Sequence, residues 1–186
     1  ATPQPTAAQT TGPVDVTDAL QRGVVLISGR TGNQTVAGTG MVLTPDGYVL
    51  TNYHVVRSTS AVTATIALTG RQYTATLVGR DATKDVALLK LEGASRLKMV
   101  TLDQDPVAIG DTVIAAGNAN GQGFITANRG NVQALNTSVQ VRSANENDPP
   151  QRLPAWWRGL GALMRQLARL LLNFFRSVPE IVWAYL

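Results

Sequence analysis

The most informative stretch of the sequence is residues 37–56, AGTGMVLTPDGYVLTNYHVV. Apolar runs at 36–43 and 47–51 predict two short strands, joined by a Thr-Pro-Asp-Gly turn of the kind these residue types favour. The second strand runs into Thr-Asn-Tyr-His, and His54 is the one histidine among 186 residues. Because an imidazole titrates near neutral pH, His54 is a candidate general base. On position alone, an ordinary half-buried histidine is the more common explanation.

Strand signals continue on both sides of this stretch. A helical turn near Thr17 precedes a glycine-bounded apolar run at 23–29, and segments 61–68 and 72–79 alternate threonine with apolar residues. Residues 86–91, VALLKL, predict a buried strand. Six short strands at this regular spacing predict a mainly β fold, with a closed or nearly closed barrel over 16–110.

Weaker β signal follows the barrel. Residues 112–117 predict a strand, 118–123 a Gly/Asn loop, and 131–135 and 138–142 further strands, before Asn/Asp/Pro residues interrupt the pattern. We therefore expect an incomplete second barrel over 111–150. Residues 1–15, rich in Pro, Thr and Gln, predict a disordered leader.

Composition excludes several classes of site. The chain has no cysteine, so disulfides and thiolate metal sites are impossible, and a single histidine without clustered carboxylates argues against a catalytic metal or cofactor. The net charge is +4, of which residues 155–186 supply +3 through four arginines and one glutamate. A nearly neutral body gives little support to nucleic-acid binding. No run of about eighteen apolar residues is present to span a membrane.

Asp85 is the second candidate site residue. It ends the polar loop 80–85 directly before the VALLKL strand, which puts its carboxylate at the barrel rim. There it could accept a hydrogen bond from the imidazole Nδ1–H, fix the tautomer and stabilise the imidazolium. The alternative is that Asp85 caps a turn.

Three motifs resemble one known family: GTGMVL from Gly38, GYVLTNYHVV around His54, and DATKDVALLKL around Asp85. They are similar to the first half of the trypsin-like serine proteases, HtrA/Deg-type branch, over about residues 16–142. The resemblance implies that His54 is the general base and that Asp85 orients it. It also implies a secreted, periplasmic or cell-envelope protein that acts on polypeptides.

The family's third catalytic element is missing from the sequence. Its nucleophilic serine lies in a Gly-Asn/Asp-Ser-Gly-Gly-Pro turn that also supplies the oxyanion hole, and no such turn occurs here. Ser138, Ser143 and Ser177 lack the neighbouring glycines. We therefore expect a truncated or inactive serine endopeptidase homologue.

The last part of the chain, 151–186, does not resemble the family. Around 155–178, arginines line one side of a helical wheel and Leu, Phe and Met fill the other, which predicts a basic amphipathic helix ending near Pro179. The helix could cover the incomplete β unit, lie on an anionic membrane surface, or be the product of a shifted reading frame. The second possibility gives the alternative function, a non-catalytic binding or membrane-associated module, and the exposed apolar face makes self-association possible.

Overall fold

The computed structural model describes residues 11–32, 34–59, 61–135 and 182–184. The strands are β1 (Gly12–Pro13), β2 (Val24–Thr31), β3 (Gln34–Val42), β4 (Tyr48–Thr51), β5 (Val62–Ile66), β6 (Gln72–Asp81), β7 (Val86–Leu91), β8 (Thr112–Gly117), β9 (Thr126–Asn131) and β10 (Val182–Ala184). The helices are α1 (Asp18–Gln21) and α2 (Tyr53–Val56), and a 3₁₀ turn covers Ala119–Gly121.

Strands β2 to β7 close into a barrel in the order β2-β3-β4-β7-β6-β5, with every neighbouring pair antiparallel. Alternation along the strands explains the closure. In β5, for example, the apolar Val62, Ala64 and Ile66 are buried, while the threonines between them are partly exposed. The barrel interior is filled mainly by branched aliphatic side chains: Val25, Ile27, Val42, Val49, Leu89 and Leu91. The predicted six-stranded barrel is confirmed.

The predicted turn between β3 and β4 is also present. The Gly47 N–H donates to Thr44 O at 3.0 Å, and Gly47 has a φ of +97°, which glycine adopts without steric cost. The turn thus reverses the chain into β4, which pairs with β3 and leads directly to the His54 helix.

A second sheet has the order β1-β9-β8-β10. A separate apolar cluster joins it to helix α1 and the barrel: Leu20, Val24, Ile114, Ala116, Ile125 and Ala127. A buried hydrogen bond adds to this connection, because the Asn118 N–H donates to Oγ1 of the barrel residue Thr39 at 2.9 Å. The residue that follows β8 is therefore held directly beside barrel strand β3.

Two boundaries differ from the sequence predictions. Paired backbone begins at Gly12, inside the predicted leader, because Gly12 and Pro13 pair with β9 and the Val14 N–H donates to Ala127 O at 3.0 Å. Strand β9 ends at Asn131, where the sequence predicts a strand to begin. Its segment, TANRGN, has low β propensity and forms a strand through pairing with β8.

The predicted strand at 138–142 and the predicted amphipathic helix at 155–178 lie outside the described residues. Within the ranges the structure covers, no helix is long and apolar enough to cross a membrane.

Candidate active site

His54 lies on helix α2, a single turn that begins immediately after β4 and Asn52. The three other residues of the turn, Tyr53, Val55 and Val56, are buried in the barrel core, whereas the His54 side chain is 21% exposed. These three buried side chains therefore hold the helix against the core, and the imidazole is left at the surface of the barrel.

Helix α2 needs space that Gly38 provides. A β-carbon at Gly38 would lie 2.6 Å from Cγ2 of Val55, well inside van der Waals contact. The Arg80 guanidinium covers the other side of the helix, 4.7 Å from the centroid of the Tyr53 ring. The glycine of the sequence motif GTGMVL thus has a structural reason, which is the close packing of β3 against α2.

Asp85 ends the loop between β6 and β7. The Asp81 carboxylate shapes this loop by accepting from the Lys84 N–H at 3.0 Å. Asp85 has a φ of +54°, an uncommon conformation for a residue other than glycine and one that aspartate tolerates better than most. The strained backbone aims the carboxylate at helix α2.

The structure brings the two predicted residues together. Nδ1 of His54 lies 2.6 Å from Oδ2 of Asp85, and the backbone N–H of His54 donates to Oδ1 of the same carboxylate at 2.8 Å. Both carboxylate oxygens are thus used by one residue. With its proton on Nδ1, the imidazole has an unprotonated Nε2 on its opposite edge, as a general base requires.

Asn52 also belongs to the site, and the sequence reasoning missed it. Its Nδ2 lies 3.2 Å from both the backbone oxygen and Oδ2 of Asp85, while the Tyr53 N–H donates to Asp85 O at 3.2 Å. The available signal was the asparagine itself, a buried polar residue two positions before the histidine. A buried amide of this kind needs hydrogen-bond partners nearby.

The three serines considered as possible nucleophiles, Ser138, Ser143 and Ser177, lie outside the described residues. In the described part of the chain, no group of three or more His, Cys, Asp or Glu side chains is arranged to hold a metal ion.

The fold has clear parallels among known proteins. A family model described as "Trypsin-like peptidase domain" matches residues 38–159. Over 103 residues, the chain is 37% identical to the periplasmic pH-dependent serine endoprotease DegQ of Escherichia coli K12. This alignment covers 54% of this chain and 22% of DegQ. Over 87 residues, it is 41% identical to a probable periplasmic serine endoprotease, DegP-like, of Chlamydia trachomatis. This alignment covers 46% of this chain and 17% of that protein.

Solved structures give the same result for the fold. A serine endoprotease from Yersinia pestis aligns with a TM-score of 0.57 and 30% identity, over 66% of this chain and 46% of that one. The HtrA-type protease AlgW with a tripeptide aligns with a TM-score of 0.58 and 28% identity, over 65% of this chain and 40% of AlgW. The matched part is thus about a fifth of the curated relatives and less than half of these structures. With a family match over residues 38–159 and an HtrA-type fold, this chain belongs to the trypsin-like peptidase family.

Proposed function

We propose that His54 and Asp85 are the general base and the orienting carboxylate of a trypsin-like serine endopeptidase site. The observation that carries this proposal is the 2.6 Å contact between His54 Nδ1 and Asp85 Oδ2, at the positions the family motif predicts. In such a site, Nε2 takes the proton of a serine hydroxyl while the carboxylate stabilises the imidazolium. The names of the relatives, which describe serine endoproteases, support polypeptides as the substrate class.

This 186-residue chain, we further propose, does not hydrolyse peptide bonds on its own. The supporting observation is that the sequence contains no Gly-Asn/Asp-Ser-Gly-Gly turn for the nucleophile and the oxyanion hole. Without that turn, Nε2 of His54 has no serine hydroxyl to deprotonate, and no oxyanion hole stabilises the tetrahedral intermediate. We therefore describe it as an inactive or truncated form.

The experiment that tests both statements measures cleavage of unfolded casein by the chain and by His54→Ala. We expect neither protein to release peptides above the buffer rate. A labelled fluorophosphonate, which reacts with activated serines, should also leave the chain unlabelled. Casein turnover that disappears in His54→Ala would show that a serine outside the expected motif is used, and would refute the inactive assignment while supporting His54 as base.

The organisation proposed for the chain is the one the sequence predicts: a leader at 1–15, a barrel carrying both site residues at 16–110, a partial second barrel at 111–150 and a basic tail at 151–186. The structure changes the first boundary, because residues 12–14 of the leader already pair with the second sheet. We place the protein outside the cytoplasm, in the periplasm or cell envelope or as a secreted chain. Both relatives described above carry "periplasmic" in their names, which supports this placement.

A second candidate function is attachment to an anionic membrane surface through residues 155–178. The feature that favours it is the stripe of four arginines, Arg158, Arg165, Arg169 and Arg176, opposite a Leu/Phe face in the sequence. Co-sedimentation with vesicles of anionic and of neutral lipid tests it. Binding to the anionic vesicles that is lost on deleting 155–186 would support this function, and equal recovery in the supernatant with both lipids would eliminate it. The same deletion, followed by sedimentation velocity, tests self-association through this face.

A further inference from the structure

Asn52 is the residue immediately before helix α2, a position at which asparagine commonly caps a helix. At that position its side-chain oxygen normally accepts from an N–H of the first turn. Here Asn52 makes no side-chain cap hydrogen bond, although it is only 5% exposed. The amide of a buried asparagine has instead been directed to another part of the molecule.

That other part is Asp85. Nδ2 of Asn52 lies 3.2 Å from the Asp85 backbone oxygen and 3.2 Å from its Oδ2. Both partners are acceptors, so the amide must turn its nitrogen, and not its oxygen, toward Asp85. One NH₂ group thus holds the main chain and the side chain of the same residue, which fixes the direction of the carboxylate relative to a backbone at positive φ.

The oxygen that Asn52 holds is also the oxygen that contacts the imidazole, because Oδ2 lies 2.6 Å from His54 Nδ1. Helix α2 also binds Asp85 through its backbone, since the Tyr53 N–H donates to Asp85 O and the His54 N–H donates to Asp85 Oδ1. Without Asn52, Oδ2 would lose the donor that holds it independently of the imidazole. The carboxylate could then turn away from Nδ1.

We propose that Asn52 is a positioning residue for the His54–Asp85 pair, which it keeps in the state with the proton on Nδ1 and Nε2 free as a base. This inference rests on the proposed role of the pair. Asn52 acts through Asp85, and nothing in its geometry requires it to touch a substrate.

Because the chain has one histidine, its imidazole can be observed without overlap from another. Nitrogen-15 NMR of the neutral imidazole gives the ratio of the Nδ1–H to the Nε2–H tautomer. Asn52→Asp keeps the shape but replaces the donor with an acceptor, and Asn52→Ala removes the amide altogether. We expect the tautomer ratio to fall by about tenfold in either variant, the size associated with one hydrogen bond to a charged group.

Asn131→Asp is the matched control. The Asn131 amide also donates to one backbone oxygen, Gly110 O at 3.1 Å, and to one side-chain oxygen, Thr112 Oγ1 at 3.2 Å, but it lies on the second sheet. This variant should leave the tautomer ratio of His54 unchanged. An equal change in Asn131→Asp would mean that the ratio reports general loosening, and would overturn the role of Asn52.

A measurement on the wild-type chain covers the case in which the Asn52 variants do not fold. The side-chain amide protons of Asn52 should exchange slowly and show scalar coupling across the hydrogen bond to the Asp85 carboxyl carbon. Fast exchange without coupling would overturn the proposal, as would an unchanged tautomer ratio in folded Asn52 variants. If the wild-type imidazole shows no preference for Nδ1–H, the proposed pair itself fails. If that preference is present and survives in the variants, the failure is confined to Asn52.

Discussion

The β-carbon that an alanine would add at Gly38 lies 2.6 Å from Cγ2 of Val55, the residue after His54. Space at one residue on β3 therefore decides where helix α2 lies. A displacement of a few tenths of an ångström would be passed to the imidazole, because Val55 is held in the core and cannot move alone.

Gly38→Ala should lower the free energy of unfolding by about 1–3 kcal/mol, because the added methyl group overpacks the contact with Val55. Urea denaturation followed by tryptophan or tyrosine fluorescence measures this. Gly130→Ala is the control: Gly130 also lies in a strand, and a β-carbon there would have no neighbouring atom within 4 Å. Similar losses in the two variants would show that the effect is backbone conformation and not packing against α2.

Lys90 forms an ion pair at 2.7 Å with Asp46 of the β3–β4 turn, and its ammonium group also lies over the Tyr48 ring. The hydrogen bond from Lys90 holds the pKa of Asp46 below its ordinary value. A carboxyl group whose pKa is lower in the folded state stabilises the fold above its unfolded pKa, and this contribution is lost as the pH falls through the folded pKa. The effect must be small, because the Asp46 side chain is 62% exposed.

Asp46→Asn should therefore be slightly less stable than the wild type at neutral pH and equally stable in strong acid. Added salt should also reduce the difference, since exposed charges are screened. Urea denaturation of both proteins across this pH range, at low and high salt, is the measurement. A difference that persists unchanged in acid would rule out the ion pair as its cause.

At the scale of elements, helix α2 is capped from another part of the chain. Asp85 accepts from two of its first N–H groups, Tyr53 N–H through the backbone oxygen and His54 N–H through Oδ1. The end of the β6–β7 loop thus satisfies donors that a four-residue helix cannot satisfy internally. The contact with the His54 imidazole and the capping of helix α2 depend on the same carboxylate.

This double role gives a test that separates backbone strain from hydrogen bonding. Asp85→Ala should lose about 1–3 kcal/mol of stability, since it removes the acceptor of a partly buried N–H and keeps a side chain at a φ of +54°. Asp85→Gly loses the same acceptor but relieves the positive φ. We expect the glycine variant to unfold at a higher urea concentration than the alanine variant. The reverse order would show that the backbone of Asp85 is not strained.

The strands of the barrel could be predicted because their side chains alternate clearly, as the threonines of β5 do. His54 and Asp85 could be predicted because family motifs surround both. Strand β9 could not be located, since TANRGN has little β propensity and forms a strand through its pairing with β8 and β1. The roles of Asn52 and Gly38 depend on contacts between distant segments, which no local pattern contains.

At the scale of the whole molecule, the barrel and the second sheet share one apolar cluster in which Ile114 of β8 packs with Leu20 and Val24. A buried hydrogen bond connects the same parts, since Thr39 Oγ1 accepts from the Asn118 N–H, and Thr39 is itself held within the barrel by the bond from Thr51 Oγ1 to Thr39 O. We therefore expect the described parts of both sheets to unfold together.

Ile114→Ala should lower the free energy of unfolding by about 2–4 kcal/mol, because it leaves a cavity at a position that is 3% exposed. Thermal unfolding monitored by circular dichroism should remain a single transition. Ile109→Ala makes the same chemical change at a residue that is 67% exposed, so we expect little loss there. A second transition in Ile114→Ala would show that the barrel unfolds independently of the second sheet.

The proposed role of the one histidine of this chain depends on Asp85 holding it in the geometry of a general base. Proton NMR of the wild type and of Asp85→Asn tests it directly, because a strong hydrogen bond between Nδ1–H and a carboxylate gives a resolved proton signal at very low field. We expect this signal in the wild type and its loss in Asp85→Asn. A wild-type imidazole whose protons exchange as fast as those of free histidine would contradict it.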